Sequence, residues 1–323
     1  MSEKKVLLEV KNLKKYYSKS LYLNTKKHIT KAVDDVSFSV YEGETFGLVG
    51  ESGCGKTTIG KMIVKLIKPD SGEIVFDGLN FSDIKEKDLP SLHRNVQMVF
   101  QDPHSALDPK FTLFETINEA LKTHKLCKTK IEAVAKIERL ISLVGLNSSQ
   151  LQKYPSEFSG GQCQRISIAK ALAVNPQLIV CDEPVSALDV SIQAQIINTI
   201  VELQHKLKLT YIFISHNLAV VKYISDKIGV MYLGKIVELG TSDDIYTHHL
   251  HPYTQTLLDA ILDLKHISKP QQTIDYENFL NKTRNSNGCS FCPRCKRAIS
   301  RCLEEVPKLK EVAAGHFVAC HLI

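Results

Sequence analysis

Nowhere in this 323-residue chain is there an apolar run long enough to cross a bilayer. A spanning helix takes about 20 apolar residues, whereas runs such as Leu178-Ile179-Val180-Cys181 are far shorter. Nor does an apolar h-region follow Met1-Ser2-Glu3-Lys4-Lys5, so the chain reads as one without a secretory signal. Internal repeats are absent. Charge of one sign never gathers in a block, and the net charge of +6 is spread over the whole length. That distribution suits a solvated surface with mild attraction to an anionic membrane face, and it gives no reason to expect nucleic acid as a partner. Any membrane role is therefore expected to run through partner subunits.

What is present is an ordinary core and an uneven set of cysteines. Hydrophobic residues make up 43%, which allows one large domain with a small appendage, or two modest domains. Cys54, Cys127, Cys163 and Cys181 are scattered, whereas Cys289, Cys292, Cys295, Cys302 and Cys320 crowd the last few dozen residues. In a chain without a secretory signal they read as reduced thiols or metal ligands rather than disulfides. The crowding marks a second unit.

Periodicity places the elements. Val36-Ser37-Phe38-Ser39-Val40 alternates like a half-buried antiparallel strand. A turn at Glu42-Gly43-Glu44 leads into the apolar strand Thr45-Phe46-Gly47-Leu48-Val49, then glycines, then a helix to about Leu66 that stops at Pro69 and Gly72. From Leu113 to Leu146 the spacing is helical, with Ile131, Val134, Ile137, Ile141 and Val144 recurring at three- and four-residue steps and Gly145 as the stop. Buried-type strands at Leu178–Cys181 and Tyr211–Ile214 flank a helix with Ile192, Ile196, Ile200 and Leu203 on one side. Such alternation argues for a parallel sheet covered on both faces. After about Leu250 the periodicity weakens, and a polar linker, Lys269 to Asn287, precedes the cysteines.

The chemistry starts at Gly50-Glu51-Ser52-Gly53-Cys54-Gly55-Lys56-Thr57, followed by Thr58. This fits the P-loop pattern, with a strand before it and a helix after it, which is the context the motif needs. Glycines let the backbone fold around phosphates so that its N–H groups point inward, and the helix N-terminus adds partial positive charge. Lys56 would neutralise phosphate charge, and the Thr57 hydroxyl would complete a Mg²⁺ shell. The pattern implies ATP or GTP, and by itself leaves open a GTPase, a kinase or a helicase.

Five further motifs narrow the choice. Phe158-Ser159-Gly160-Gly161-Gln162 precedes a helix carrying Ile166, Ile168 and Leu172, with Ser159 as its N-cap. The apolar run Leu178–Cys181 ends in Asp182-Glu183, and Ser186-Ala187-Leu188-Asp189 follows. His216 comes directly after the strand Tyr211–Ser215, and Gln101 directly after Met98-Val99-Phe100. In order and rough spacing these resemble the signature, Walker B strand, D-loop, switch histidine and Q-loop of ATP-binding-cassette proteins.

That resemblance implies an α/β fold, the P-loop NTPase type of ATP-binding-cassette ATPases. Its parts would be a mostly parallel core sheet with helices on both faces, an antiparallel β subdomain and a helical signature subdomain at about 102–165. The nucleotide-binding domain would span 1–250 and a small cysteine-rich extension 251–323. The resemblance also implies roles. Glu183 polarises the attacking water, with His216 and Gln101 beside it as catalytic residues. Asp182, Thr57 and Gln101 hold Mg²⁺. Tyr17 stacks on adenine, with Tyr16 as its rival. Two cassettes pair head to tail, so that Ser159, Gly160 and Gly161, in one set with Gln162 and Asp189, meet the nucleotide held by the partner. The helical segment, hinged near Gln101, would carry that closure to a membrane subunit.

Beyond the ATPase core, Lys153-Tyr154-Pro155-Ser156-Glu157 leading into the signature and on to Ile166 is similar to the ATP-binding subunits of oligopeptide and dipeptide importers. So are the run Glu183 to Gln195 and the segment His251-Pro252-Tyr253-Thr254 with Leu257-Leu258. The match is greatest to the second of the two paired ATPases, the oligopeptide F-type subunit, and departs between Lys269 and Asn287. It implies a peripheral protein on the cytoplasmic face of the membrane. Its partners would be a paralogous ATPase, two permease subunits and, indirectly, an extracytoplasmic peptide-binding protein. A cassette for nickel or another small substrate is an alternative, and a cytosolic cassette ATPase acting on ribosomes or DNA repair is another. Ribosomal types usually join two cassettes and repair types insert long coiled coils, neither of which is present.

In the tail, four thiolates in tetrahedral reach can hold Zn²⁺ or an iron–sulfur cluster. The family pattern picks out Cys289, Cys295, Cys302 and Cys320, with five, six and seventeen residues between them, and leaves Cys292 as an extra. Related subunits imply a [4Fe–4S] cluster, with zinc or plain reduced cysteines as the other readings.

Overall fold

A computed structural model describes residues 5–19, 28–262 and 287–323, so all but the last residue of the expected linker lies outside the described residues. The chain forms two compact units. Among the described residues, one is made of Lys5, Tyr41–Thr45 and Asp83–Ser215, the other of 6–19, 28–40, Phe46–Ser82, 216–262 and 287–323.

In the first unit, strands β6 (Val96–Val99), β7 (Leu178–Asp182) and β8 (Thr210–Ser215) run parallel, with Leu178 opposite both Val96 and Thr210. Every residue of β7 and β8 is buried, as strands covered on both faces require. The helices are α2 (Leu89–Asn95), α3 (Leu113–Thr123), α4 (Lys130–Leu143), α5 (Gly160–Leu172) and α6 (Val190–Leu207). The helical run expected from Leu113 to Leu146 is therefore two helices, broken where Lys125 takes a φ of 52°. Thr129 restarts the helix by accepting from the Glu132 N–H.

Of the apolar residues expected to recur along α4, Ile137, Ile141 and Val144 are buried, and Ile131 is not. The buried residues of the helix are Ala133, Ile137, Leu140 and Ile141, while Ile131 is 83% exposed. Ile131 stands two positions before Ala133 in the first turn, about 160° around the helix from Ala133 and about 120° from Ile137, which puts it off the buried stripe. Gly145 ends α4 as expected, at φ 75°, where the Leu146 N–H returns to the Ile141 carbonyl at 2.9 Å.

The second unit contains two sheets. Strands β1 (Val6–Lys19), β2 (His28–Tyr41), β4 (Ser71–Phe76) and β5 (Leu79–Asn80) form a four-stranded sheet in the order β2-β1-β4-β5. β1 pairs antiparallel with β4, and Val36, Phe38 and Val40 face inward on alternate positions. The other sheet pairs β3 (Thr45–Val49) in parallel with β9 (Lys227–Tyr232). Antiparallel strands β10 (Lys235–Thr241), β12 (His316–Val318) and β11 (Lys310–Ala313) continue it. The tail thus adds two strands to the edge of β10.

Helix α1 (Lys56–Ile63) follows β3 and ends at Val64, short of the expected Leu66, because Lys65 turns into the left-handed region at φ 58°. α7 (Leu218–Ile224), α8 (Ser242–Thr247) and α9 (Pro252–Leu262) follow, with α9 where apolar periodicity weakens, and α10 (Arg301–Glu304) is a single turn in the tail. Among the described residues, no helix is long and apolar enough to cross a membrane.

Candidate functional site

The phosphate loop lies in the second unit, between β3 and α1. Its conformation depends on two glycines. Gly50 has a φ of 152°, and a Cβ there would stand 2.2 Å from the Met231 carbonyl oxygen. Gly55, the residue before α1, has a φ of 112°, and a Cβ would meet the Ala32 carbonyl oxygen at 2.0 Å. Only glycine fits either place without moving backbone. Lys56 is buried, and its ammonium donates to the carbonyls of Gly50 at 2.7 Å and Glu51 at 3.0 Å, so the charge sits inside the loop. Burial pushes the neighbouring Cys54 thiol up, which keeps it neutral beside that ammonium. Ser52 and Gly53 are exposed, while Thr57 and Thr58 are half-buried in the first turn of α1. A backbone cradle at a helix N-terminus with a central ammonium fits a nucleotide polyphosphate, and the Thr57 hydroxyl fits a Mg²⁺ ligand.

The loop is braced from behind. The Glu51 N–H donates to Tyr253 Oη at 3.0 Å. Both arms of the Arg294 guanidinium reach the Glu51 carboxylate, Nη1 to Oε2 and Nη2 to Oε1, each at 2.9 Å. The guanidinium also lies 5.7 Å from the ring centroids of both Tyr232 and Phe291. Burial alone would lower its pKa, but the hydrogen bonds to Glu51 raise it.

The two tyrosines weighed as adenine stackers differ in kind. Tyr16 donates its hydroxyl to Asp34, itself ion-paired with Lys235 at 3.0 Å, and burial together with that carboxylate raises the phenol's pKa. Tyr17 is 41% exposed.

In the first unit, β7 delivers Asp182, buried at its C-terminal end, and Glu183 just beyond. Glu183 adopts a φ of 45°, uncommon for a residue with a side chain, and its N–H donates to the Ile214 carbonyl at 2.9 Å. Gln101, exposed just after β6, donates its Nε2 to Glu183 Oε2 at 3.2 Å and to Ser186 Oγ at 3.3 Å. The structure therefore brings Gln101 to the carboxylate with which it was grouped. Ser159 caps α5 as expected. Its Oγ accepts from the Gln162 N–H at 3.4 Å, and Gln162 Oε1 accepts from the Ser159 N–H at 3.0 Å. Gly160 and Gly161 open that helix, and Asp189 stands at the N-cap of α6 without a side-chain cap bond. His216, exposed directly after β8, belongs with the second unit.

The tail cysteines gather in the second unit. Cys292 and Cys302 are buried, and Cys289, Cys295 and Cys320 are half-buried. The Cys289 N–H donates to the Cys302 carbonyl at 2.8 Å. Burial, with the nearby Cys302 and Cys292, pushes the Cys289 thiol up to about 11. Burial raises Cys292 and Cys320 as well, each also in the field of Cys295 and Cys302. Among the described residues, no group of three or more His, Cys, Asp or Glu side chains stands in metal-holding geometry.

Residues 33–186 match the family described as ABC transporter, and residues 237–302 match the C-terminal region of oligopeptide/dipeptide transporters. The chain is 49% identical over 99% of its length, and 98% of the relative's, to the oligopeptide transport ATP-binding protein AppF of Bacillus subtilis. This chain belongs to the ABC transporter family. It is also 52% identical to OppF of Streptococcus mutans over 84% of this chain and 89% of that one. DppF of Lactococcus lactis, a dipeptide transport ATP-binding protein, is 50% identical over 84% of this chain and 86% of its own. Among solved structures, the dimeric ATP-binding cassette MJ0796 bound to ADP and phosphate is 26% identical. It covers 73% of this chain and 99% of its own, with a TM-score of 0.65. The fold is thus that of an ABC ATPase, with strands of both orientations and helices.

Two braces of the loop carry no signal of that role in the sequence. Tyr253 lies in the His251–Thr254 segment, whose sequence marks only the resemblance to peptide importers, and Arg294 has no signal beyond its place between Cys292 and Cys295.

Proposed function

We propose that this chain is the ATP-hydrolysing motor subunit of a peptide import complex, acting on oligopeptides or dipeptides. The observation that carries the reading is near full-length similarity to an oligopeptide transport ATP-binding protein, at 49% identity, in a chain whose phosphate loop is built for polyphosphate.

The roles follow from the local chemistry. Backbone N–H groups from Gly50 to Thr58 and the Lys56 ammonium bind the phosphates, Thr57 offers its hydroxyl to Mg²⁺, and exposed Tyr17 stacks on adenine. In the other unit, Asp182 and Gln101 take the remaining Mg²⁺ roles and Glu183 accepts the proton of the attacking water. Mg²⁺, when bound, neutralises charge developing on the transferred phosphoryl group. Gln101 orients the Glu183 carboxylate, which the left-handed backbone at that residue aims. Ser159, Gly160, Gly161, Gln162 and Asp189 serve the nucleotide of a paired cassette, where the α5 N-terminus favours negative charge. His216 acts as the switch. The nucleotide-binding domain is 1–250, its helical subdomain about 102–165, and 251–323 the extension.

The partners in this reading are a paralogous ATPase, two permeases and an external peptide-binding protein, with the chain held peripherally on the cytoplasmic face. In the tail, the spacing of Cys289, Cys295, Cys302 and Cys320, similar to that of related subunits, supports that ligand set for a [4Fe–4S] cluster, with Zn²⁺ as the alternative. The side chains as they stand lack metal-holding geometry, so no step runs through a metal there. Anaerobic purification with iron and zinc analysis decides between them, and a colourless, metal-free protein leaves reduced thiols.

The test of function is ATPase activity of the reconstituted complex. Stimulation by binding protein loaded with peptide is expected. Stimulation by nickel-loaded binding protein alone would instead favour the metal-importer alternative.

A further inference from the structure

The tail's cysteine segment reaches the phosphate loop within one unit. Glu51, second residue of the P-loop, is held at two points. Its N–H donates to Tyr253 Oη at 3.0 Å, and its carboxylate takes both arms of Arg294 at 2.9 Å. Tyr253 is fully buried in α9, against Tyr232 at 4.6 Å and Phe291 at 5.4 Å between ring centroids. Arg294 closes the turn Cys292–Arg294, whose ends are fixed by backbone bonds from Cys292 to Cys289 at 3.0 Å and from Cys295 to Cys292 at 3.1 Å. Moving those cysteines moves the guanidinium. Tyr232 ends β9, next to the Met231 carbonyl against which Gly50 is packed. Unpaired, the Glu51 carboxylate would add negative charge beside a polyphosphate. The bidentate pair removes that penalty and fixes where the loop begins.

We propose that Arg294 and Tyr253 are positioning residues of the phosphate loop, and that the cysteine segment carrying Arg294 thereby sets nucleotide affinity. By linkage, bound nucleotide steadies the cysteine segment in return. Neither residue touches the reacting atoms. The inference rests on the reading of the P-loop as the nucleotide site.

The test is calorimetric titration of the full chain with MgADP, for the native protein and for Arg294→Met, Arg294→Lys, Glu51→Gln, Tyr253→Phe and the double variant Glu51→Gln/Arg294→Met. Arg294→Met is expected to weaken MgADP by roughly five- to fiftyfold, the scale of a partly buried bidentate pair. Arg294→Lys should fall between, Tyr253→Phe should weaken binding, and the double variant should bind no worse than Arg294→Met. Native-like affinity of Arg294→Met, or losses that multiply in the double variant, would overturn the proposal. A native chain that fails to bind MgADP would instead overturn the nucleotide reading. The second measurement needs no variant: iodoacetamide labelling of Cys295 and Cys320 in the metal-free native chain, with and without saturating MgADP. Labelling is expected to slow at least about threefold with nucleotide. Equal rates contradict the coupling, and they decide the matter if Arg294→Met does not fold.

Discussion

Replacing Glu183 with Gln isolates the proposed general base. The substitution keeps side-chain shape, and Gln101 still finds an acceptor at the position where it now meets Glu183 Oε2 at 3.2 Å. The left-handed backbone at φ 45° and the bond from the Glu183 N–H to Ile214 are equally available to Gln. Fold and nucleotide binding should therefore persist, while the proton acceptor is lost. General-base loss lowers rate by about 10²- to 10⁴-fold. At about 1.36 kcal/mol per tenfold, that adds roughly 2.7–5.4 kcal/mol to the barrier. The assay is phosphate release at saturating MgATP, paired with MgADP titration to show that the variant still binds within about threefold of native. Turnover within tenfold of native, with binding intact, would refute the assignment. Loss of both would mean that Glu183 supports the fold rather than the chemistry.

Other outcomes follow from the same contacts. Lys56→Met removes the buried ammonium and should weaken MgADP by about a hundredfold or more, since charge-assisted contacts to phosphate are the strong ones; calorimetry reads it. Gly55→Ala places a methyl carbon where the Ala32 carbonyl oxygen stands 2.0 Å away, so nucleotide binding should be lost while far-UV circular dichroism stays close to native. Glu238 is fully buried and accepts from the Leu250 N–H at 2.7 Å, the His251 N–H at 3.1 Å and His316 Nε2 at 2.9 Å. Glu238→Ala leaves buried donors unsatisfied and should lower local stability there by about 1–3 kcal/mol, seen as faster hydrogen exchange at residues 250 and 251. Unchanged protection would show that the carboxylate does not hold the tail to β10. In metal-free protein at pH 8, Cys289, whose pKa is pushed up to about 11, should alkylate far more slowly than a free thiol. Its rate should climb with pH towards 11, and labelling at the free-thiol rate would contradict its burial.

The phosphate loop was legible because its chemistry is local: glycines, a lysine and a threonine between a strand and a helix dictate one backbone path. The same holds for Ser159 and Gln162, whose capping box spans a single turn. The pairing of Gln101 with Glu183 crosses 82 positions and was readable only through the order of motifs. Arg294 and Glu51 lie 243 positions apart, and nothing in either neighbourhood announces the other. Their meeting depends on the tail's strands adding to β10 and on Phe291 packing against Tyr232 and Tyr253. The exposure of Ile131 in α4 has a simpler cause. Ile131 fits a helical period in more than one frame, and apolar spacing alone does not tell which frame faces the core.

The central claim, that this chain drives a peptide importer, is tested most directly by extracting the tagged chain gently from native membranes and identifying what comes with it. Two permeases and a second ATP-binding subunit are the expected companions. Ribosomes, DNA-repair proteins or no membrane partner at all would contradict the importer and leave only the ATPase chemistry standing.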